Sequence, residues 1–229
     1  MKVIIAFLRP AGHDLELHSN SQNATNKFAE IFALVGVAVL YPNEADESVR
    51  IKHLQQLGIL DSPQDMLFQA LVKQALVLAP SAAIAAISLV DTDRQWFKAI
   101  CGLAAQETPR SVSFCSHTIQ TAGVMVVPDA TRDRRFADNP LVTSNSGIRS
   151  YLGVKLVNGV GALCAIGLRP RQPTLSEIEG LVKLSKFVDI QLLAFGTLYN
   201  LENKMARSTS AMLDDQLFRA PPGISRVAQ

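Results

Sequence analysis

The sequence predicts an α+β fold, in which helices pack on a central, mainly antiparallel sheet. Apolar residues recur at helical spacing between residues 44 and 80, short apolar segments joined by tight turns follow, and a long amphipathic helix begins near residue 174. Segments of that length, rich in β-branched residues and bounded by turn residues, are typical of strands. Adjacent strands joined by tight turns pair antiparallel, which gives the sheet its predicted character.

The composition is that of a globular protein with one core. Of 229 residues, 48% are hydrophobic and 18% charged, and 22 Lys and Arg against 20 Asp and Glu leave a net charge of +2. A chain of this length buries one sizeable core with helical extensions. The basic residues are nearly balanced by acidic residues and are not clustered, so the sequence predicts no nucleic-acid partner.

The cysteine content and the apolar segments predict a cytoplasmic protein. Three cysteines without a CxxC pair indicate neither a disulfide framework nor a structural zinc site, so no metal is expected. The apolar stretch at residues 31–40 is about half as long as the roughly 20 residues that a membrane helix needs. The sequence therefore predicts no membrane partner.

The first half of the chain begins with residues 1–43, which show no clear periodicity and are assigned to an N-terminal extension of undefined order. Gly58 is a typical stop for the first helix, and Pro80 ends the second. Between the first two strands, Asp91-Thr92-Asp93 has turn chemistry, which predicts a hairpin. The elements predicted here are helices over 44–57 and 66–79 and strands over 83–90 and 95–100.

The second half contains a long polar loop, residues 129–147, with one helical turn at 134–137. Asn158-Gly159 predicts a hairpin, because both residues tolerate positive φ. Thr174 and Glu177 match a capping box and start a long helix. The elements predicted here are a short helix over 114–121, strands over 124–127, 151–157 and 162–168, and the helix from 174.

The long helix carries more apolar positions than packing on one sheet requires. This surplus predicts a homodimer through the first and last helices; the alternative is a helix enclosed within its own domain. The predicted domain covers residues 44–203, and residues 204–229, where Ser, Thr, Pro and Gly increase, are assigned to a disordered tail.

Four blocks in this order resemble the GAF domain family: ISLVDTDRQWFKAICGL (87–103), ETPRSVSFCSHTI (107–119), VVPDATRDRRFADNPLV (126–142) and GALCAIGLRPR (161–171). The resemblance covers about residues 44–195. It implies a GAF-like antiparallel sheet with an internal pocket. One position departs from the subgroup's pattern, since Gly167 stands where an Asp is common, which puts any ligand contact there in doubt.

The subgroup that the chain resembles occurs in bacterial signalling proteins with sensor histidine kinases and diguanylate cyclases. The resemblance therefore implies a sensory or regulatory module, not an enzyme, that binds an unknown small molecule or relays a signal. A histidine kinase or a diguanylate cyclase is the implied signalling partner, and no cofactor is specified. A degenerate module that only dimerises is the structural alternative.

Cys115 and His117 lie where GAF proteins carry a short helix that lines the pocket. The pair is similar to the Cys-His of bilin-binding relatives, and a thiol near an imidazole can be a thioether site or a redox sensor if its pKa is lowered. The alternative is a small buried thiol beside a hydrogen-bonded His. Together with Cys101 and Cys164 it also resembles free methionine sulfoxide reductases, which is the enzyme alternative.

The charged run in the long loop has two interpretations. Its Arg and Asn side chains could close on an anionic ligand, or Asp129 and Asn139 could cap local turns through the backbone. Only one of Trp96 and Phe97 can face the core, because side chains alternate along a strand. The predicted ligand-binding residues are Phe97, Phe114, Cys115, His117, Asp129, Asn139, Arg149 and Tyr151.

Overall fold

The computed structural model describes residues 46–144 and 147–218. The helices are α1 (Glu47–Leu57), α2 (Met66–Leu78), α3 (Phe114–Thr118), α4 (Pro140–Thr143) and α5 (Leu175–Phe218). The strands are β1 (Ile84–Val90), β2 (Arg94–Cys101), β3 (Glu107–Pro109), β4 (Val124–Val127), β5 (Ser150–Lys155) and β6 (Gly161–Gly167). The predicted extension over residues 1–43 lies outside the described residues.

The strands form one six-stranded sheet in the order β3-β2-β1-β6-β5-β4, and every neighbouring pair is antiparallel. Helices α1, α2 and α5 pack together as one layer, whereas α3 packs on β5 and β6. This architecture confirms the predicted α+β fold. Within the described residues, no helix is both long and apolar enough to cross a membrane.

The ends of the first two helices follow local sequence signals. Asp46 accepts a hydrogen bond from the backbone N–H of Ser48 at the start of α1, and Gly58 ends that helix at φ +57°. The side chain of Asp65 accepts from two backbone N–H groups in the first turn of α2. Both acidic caps satisfy N–H groups that a helix start leaves without a partner.

An irregularity in the β1–β2 hairpin determines which β2 side chains share a face. Ile87 pairs with Ala99, but the next residue of β1 pairs with Phe97, so Lys98 is an extra residue in β2. Such a bulge changes the alternation of side chains along the strand. Gln95 and Phe97 line a cavity on one face of the sheet, and so does Ile100, three residues after Phe97; Trp96, buried at 8% exposure, lies on the opposite face.

Lys98 is buried on the helical side of the sheet, where a hydroxyl, a backbone carbonyl and two aromatic rings surround its ammonium group. Nζ donates to Ser62 Oγ at 2.8 Å and to the carbonyl of Pro63 at 2.7 Å. It lies 4.9 Å from the ring centroid of Phe195 in α5 and 5.4 Å from that of Phe68 in α2. Burial lowers the pKa of Lys98, because the charged form loses hydration.

The β5–β6 connection confirms the predicted hairpin. Asn158 and Gly159 adopt φ of +52° and +65°, inside a short 3-10 turn. These left-handed conformations favour Asn and Gly, which explains why this dipeptide occurs at the turn.

Helix α5 begins with the predicted capping box. The backbone N–H of Glu177 donates to Thr174 Oγ1 at 3.3 Å, and that of Thr174 donates to Glu177 Oε2 at 2.7 Å. The helix then continues to Phe218. The prediction of a disordered tail from residue 204 is therefore wrong for residues 204–218, and residues 219–229 lie outside the described part of the chain.

The extension of α5 has a local cause in its sequence. Residues 204–218 contain neither Gly nor Pro and include several strong helix formers. Ser208 and Thr209 do not interrupt the helix, because their hydroxyls donate to the carbonyls of Lys204 and Met205, one turn earlier.

One face of α5 leaves apolar side chains in solvent. They recur at intervals of three and four residues, and each is more than half exposed: Phe187, Ile190, Leu198, Leu201 and Met205. Between Ile190 and Leu198, the apolar position of the intervening turn is occupied by Ala194, which is also exposed. These six residues, called the α5 stripe below, form a continuous apolar line along the helix.

Candidate functional site

A cavity of about 230 Å³ lies on the sheet face opposite Lys98, beneath α3 and the loop that follows β4. Its wall is mostly apolar and is built from β1, β2, β5, β6, α3 and loop residues. Four predicted site residues line it: Phe97, Phe114, Cys115 and Tyr151. The other lining residues are Ile84, Ala86, Gln95, Ile100, Leu103, Thr108, Leu141, Ser144, Ile148, Cys164, Ile166 and Leu168.

Few polar groups face this cavity, and one of them has no partner. Thr108 Oγ1 is buried without a hydrogen bond to any described residue. Gln95 accepts a short hydrogen bond from the hydroxyl of Ser113, which fixes its amide at the wall. A buried hydroxyl without a partner is costly, so Thr108 marks a place where a ligand atom would be stabilised.

Tyr151 places a third polar group at the cavity wall. Its ring lies against Phe114, with centroids 5.3 Å apart. Its Oη lies 2.7 Å from Thr118 Oγ1 and 3.3 Å from Cys115 Sγ. Burial raises the pKa of Tyr151 well above its ordinary value, so the phenol stays protonated and can donate one hydrogen bond.

Two thiols lie together at the wall. Cys115 Sγ in α3 is 3.8 Å from Cys164 Sγ in β6, and both residues are buried. Hydrogen bonding from Cys164, and then from the Tyr151 hydroxyl, lowers the pKa of Cys115 against the opposing effect of burial. The pKa of Cys164 is raised well above its ordinary value by its interaction with Cys115 and by burial.

His117 lies on α3 but is not among the cavity's lining residues. Its ring packs edge-on against Phe136, with centroids 4.8 Å apart. Burial lowers the pKa of His117, and the neighbouring Arg135 adds to the effect. The structure therefore does not bring His117 and Cys115 together at the cavity.

The structure gives Asp129, Asn139 and Arg149 local roles away from the cavity. Asp129 accepts from the backbone N–H and the hydroxyl of Thr131, which lowers its pKa. Asn139 caps α4 through Leu141 N–H and donates to the carbonyl of Val112. Arg149 donates to the carbonyl of Val142 at 2.7 Å. These contacts agree with the turn-capping interpretation of the loop.

The sequence did not identify Thr108 or Gln95 as site residues. Gln95 could have been found, because it is two residues from Phe97 and so shares its face of the strand. Thr108 could not, since its position depends on the pairing of β3 with β2, in which it lies opposite Gln95.

The chain is similar to known proteins in sequence. The family model described as GAF domain matches residues 16–192. A cyclic di-GMP phosphodiesterase of Pseudomonas aeruginosa is 40% identical over 136 residues, which cover 58% of this chain and 23% of that protein. The chain thus spans about a quarter of the length of this curated relative.

Solved structures with a similar fold were also found. A type II free methionine-R-sulfoxide reductase from Thermoplasma acidophilum has a TM-score of 0.48 at 12% identity, over 57% of this chain and 92% of that one. The GAF domain of an Acinetobacter phosphoenolpyruvate-protein phosphotransferase has a TM-score of 0.47 at 19% identity, over 69% and 97%. The family match begins at residue 16, inside the predicted extension, so the domain boundary at 44 stays a prediction. With 16–192 matched, the chain belongs to the GAF domain family.

Proposed function

We propose that this chain is a sensory or regulatory module of a bacterial cytoplasmic signalling system. It binds a small neutral molecule in the cavity and relays that event to a partner protein through a helix-mediated homodimer. The observation that carries the proposal is the cavity itself, because about 230 Å³ is left unfilled between the sheet and α3. A degenerate module would fill this space with its own side chains.

The lining residues define the class of ligand. No described residue that lines the cavity carries a charge, so an ionic ligand would lose its hydration without gaining a charged partner. An engineered apolar cavity of roughly 150 Å³ binds benzene, and the present cavity is larger. The best fit is a compact, mainly apolar molecule with one or two polar atoms directed at Thr108 and Tyr151.

This chemistry does not suit an anionic nucleotide. Phosphate groups are bound by Arg, Lys or clustered backbone N–H groups, and the loop's Arg132 and Arg135 are engaged with Asp129 and Asp133. The activity in the relative's name belongs to a protein of which this chain covers 23%. A histidine kinase or a diguanylate cyclase is a proposed partner, reached through the dimer.

The α5 stripe supports the homodimer. Its spacing places six apolar side chains on one line over about five helical turns. A second copy of the same helix offers a matching apolar line, which is how paired helices bury such residues. The two-fold arrangement would place one helical pair between two sheets, on the faces that lie away from the two cavities, and a bound ligand could shift that pair through the sheets.

A titration with neutral fragments tests the ligand class. We expect compact neutral aromatic molecules, with indole as the first probe, to shift backbone amide NMR signals of β1, β2 and α3. Indole-3-acetate, which adds a carboxylate to the same ring, should bind at least about tenfold more weakly, because its charge would be buried unpaired. Ala86→Leu places extra carbons in the cavity and should abolish binding.

The matched control is Ala206→Leu, the same change on the exposed part of α5; it should leave binding unchanged. Thr108→Val keeps the shape of the side chain but removes its hydroxyl. It should weaken the binding of ligands that have a polar atom and leave the binding of purely apolar ligands unchanged. The ligand class is wrong if the acid binds as tightly as indole, or if Ala86→Leu binds every fragment as the parent chain does.

Sedimentation of α5 variants tests the dimer. Leu201→Glu and Ile190→Glu each place a charge in the α5 stripe, and we expect them to convert a dimer into a monomer at micromolar concentration. Asn203→Glu adds the same charge on the opposite side of the helix and should leave the dimer intact. If the parent chain sediments as a monomer, the proposed homodimer through α5 is wrong.

A further inference from the structure

The cavity wall contains a pair of thiols that its proposed role in ligand binding does not use. Cys115 and Cys164 come from different elements, α3 and β6, and are 49 residues apart in sequence, yet their sulfur atoms lie 3.8 Å apart. The third cysteine, Cys101 at the end of β2, is not a lining residue.

The cavity gives small molecules a route toward this pair. Both thiols belong to the cavity wall, at 2% and 1% exposure, and the lining residues Leu103 and Leu168 are nearly half exposed, at 49% and 43%. The cavity therefore leads from the protein surface toward the two thiols. A route of this kind distinguishes a reactive cysteine from an inert one in a closed core.

A disulfide between them requires only a small movement. The bond length is about 2.05 Å, so the sulfur atoms must approach each other by less than 2 Å from 3.8 Å. Cys115 belongs to a helix of five residues, Phe114–Thr118, so a change of side-chain rotamer and a slight shift of one short element can close the gap.

Hydroxyl groups around Cys115 distinguish the two sulfurs. Tyr151 Oη lies 3.3 Å from Cys115 Sγ. Ser88 Oγ is fully buried and has no hydrogen-bond partner among the described residues; a hydrogen bond from this hydroxyl would further lower the pKa of Cys115. Donors around one sulfur favour its ionised, nucleophilic form, whereas Cys164 keeps its proton.

We propose that Cys115 and Cys164 form a redox-active dithiol, which a small hydroperoxide entering the cavity oxidises to a disulfide. In the first step the Cys115 thiolate attacks the terminal oxygen of the hydroperoxide. The O–O bond breaks, Cys115 becomes a sulfenic acid, and the leaving oxygen takes a proton to give an alcohol, or water from hydrogen peroxide.

In the second step the sulfur of Cys164 attacks that of Cys115. The S–O bond breaks, and the hydroxyl leaves as water with the proton from Cys164. Overall, two thiols and one hydroperoxide give one disulfide, one alcohol and one water, and two electrons pass from sulfur to oxygen. A dithiol reductant reverses the change by thiol–disulfide exchange.

The test uses the full reduced chain and hydrogen peroxide. We expect peroxide to reduce the number of free thiols in the parent chain by two and its mass by two hydrogens. Treatment with dithiothreitol should restore both the thiol count and the mass. Peptide mapping should find Cys115 joined to Cys164. Cys101→Ser should behave in the same way, whereas Cys164→Ser should stop at a sulfenic acid that dimedone traps on Cys115.

Thermal unfolding gives a second measurement that needs no substitution at either cysteine of the pair. In the Cys101→Ser chain, the oxidised form should melt at a higher temperature than the reduced form, because the bond closes a 49-residue interval. The proposal is overturned if the parent thiols survive peroxide that fully oxidises free cysteine, or if the mapped disulfide involves Cys101.

Discussion

Phe136→Ala is expected to lower the free energy of unfolding by about 3–5 kcal/mol. Phe136 lies in the loop between β4 and α4, but it is 1% exposed and belongs to the same core cluster as the cavity wall. Its ring stacks on Phe114 with centroids 3.9 Å apart. The truncation would leave a void under α3, and such a loss is a large part of the stability of an ordinary domain.

Urea unfolding followed by circular dichroism, at one fixed protein concentration, measures this loss. Phe136→Leu should lower the free energy of unfolding by less than Phe136→Ala does, because leucine keeps more of the buried carbon atoms. Val77→Ala, at a site on α2 that is 69% exposed, should change stability by no more than about 0.5 kcal/mol. Equal losses for Phe136→Ala and Val77→Ala would mean that the loop does not pack on the core.

Gly161→Ala is the second change with a large expected effect, a loss of about 3 kcal/mol or more. Gly161 pairs with Leu89 at the start of β6. A methyl group there would overlap the carbonyl oxygen of Ser88 and lie 3.0 Å from the Cα of Leu89. Both are backbone atoms of the central strand β1, so they cannot move aside as a flexible side chain does.

The same substitution elsewhere in the chain provides the control. At Gly180, inside α5, the nearest atom to an added methyl group is the end of the Leu78 side chain, at 3.2 Å. Gly180→Ala should be neutral or stabilise the fold by up to about 1 kcal/mol, since Ala favours the helix. Chemical denaturation compares the two variants, and a Gly161→Ala chain as stable as Gly180→Ala would contradict the packing at β1.

The sequence predicted the elements whose signals are local. The capping box at Thr174 and Glu177 and the turn at Asn158 each act within a few residues, and the structure has them where they were expected. The end of α5 differs from the prediction because Ser and Thr increase after residue 206, yet neither Gly nor Pro occurs between residues 204 and 218 to end the helix.

The site was harder to predict because it depends on contacts between distant segments. Asp129 and Asn139 have side chains that suit a ligand, but each is engaged by backbone within a few residues. Phe136 falls in the helical turn predicted at 134–137, and nothing in a polar stretch reveals that one ring reaches the core. Similarly, the proximity of Cys115 and Cys164 results from how α3 packs on β6.

The alternation of side chains along β2 has a mechanical consequence. Phe97 lines the cavity, and the next residue, Lys98, holds the loop at Pro63 and lies over the ring of Phe195 in the long helix. A single peptide bond therefore separates a wall of the cavity from a contact with α5. The two sides of the domain are therefore linked through the backbone of one strand, across a planar peptide bond, and not through a series of packed side chains.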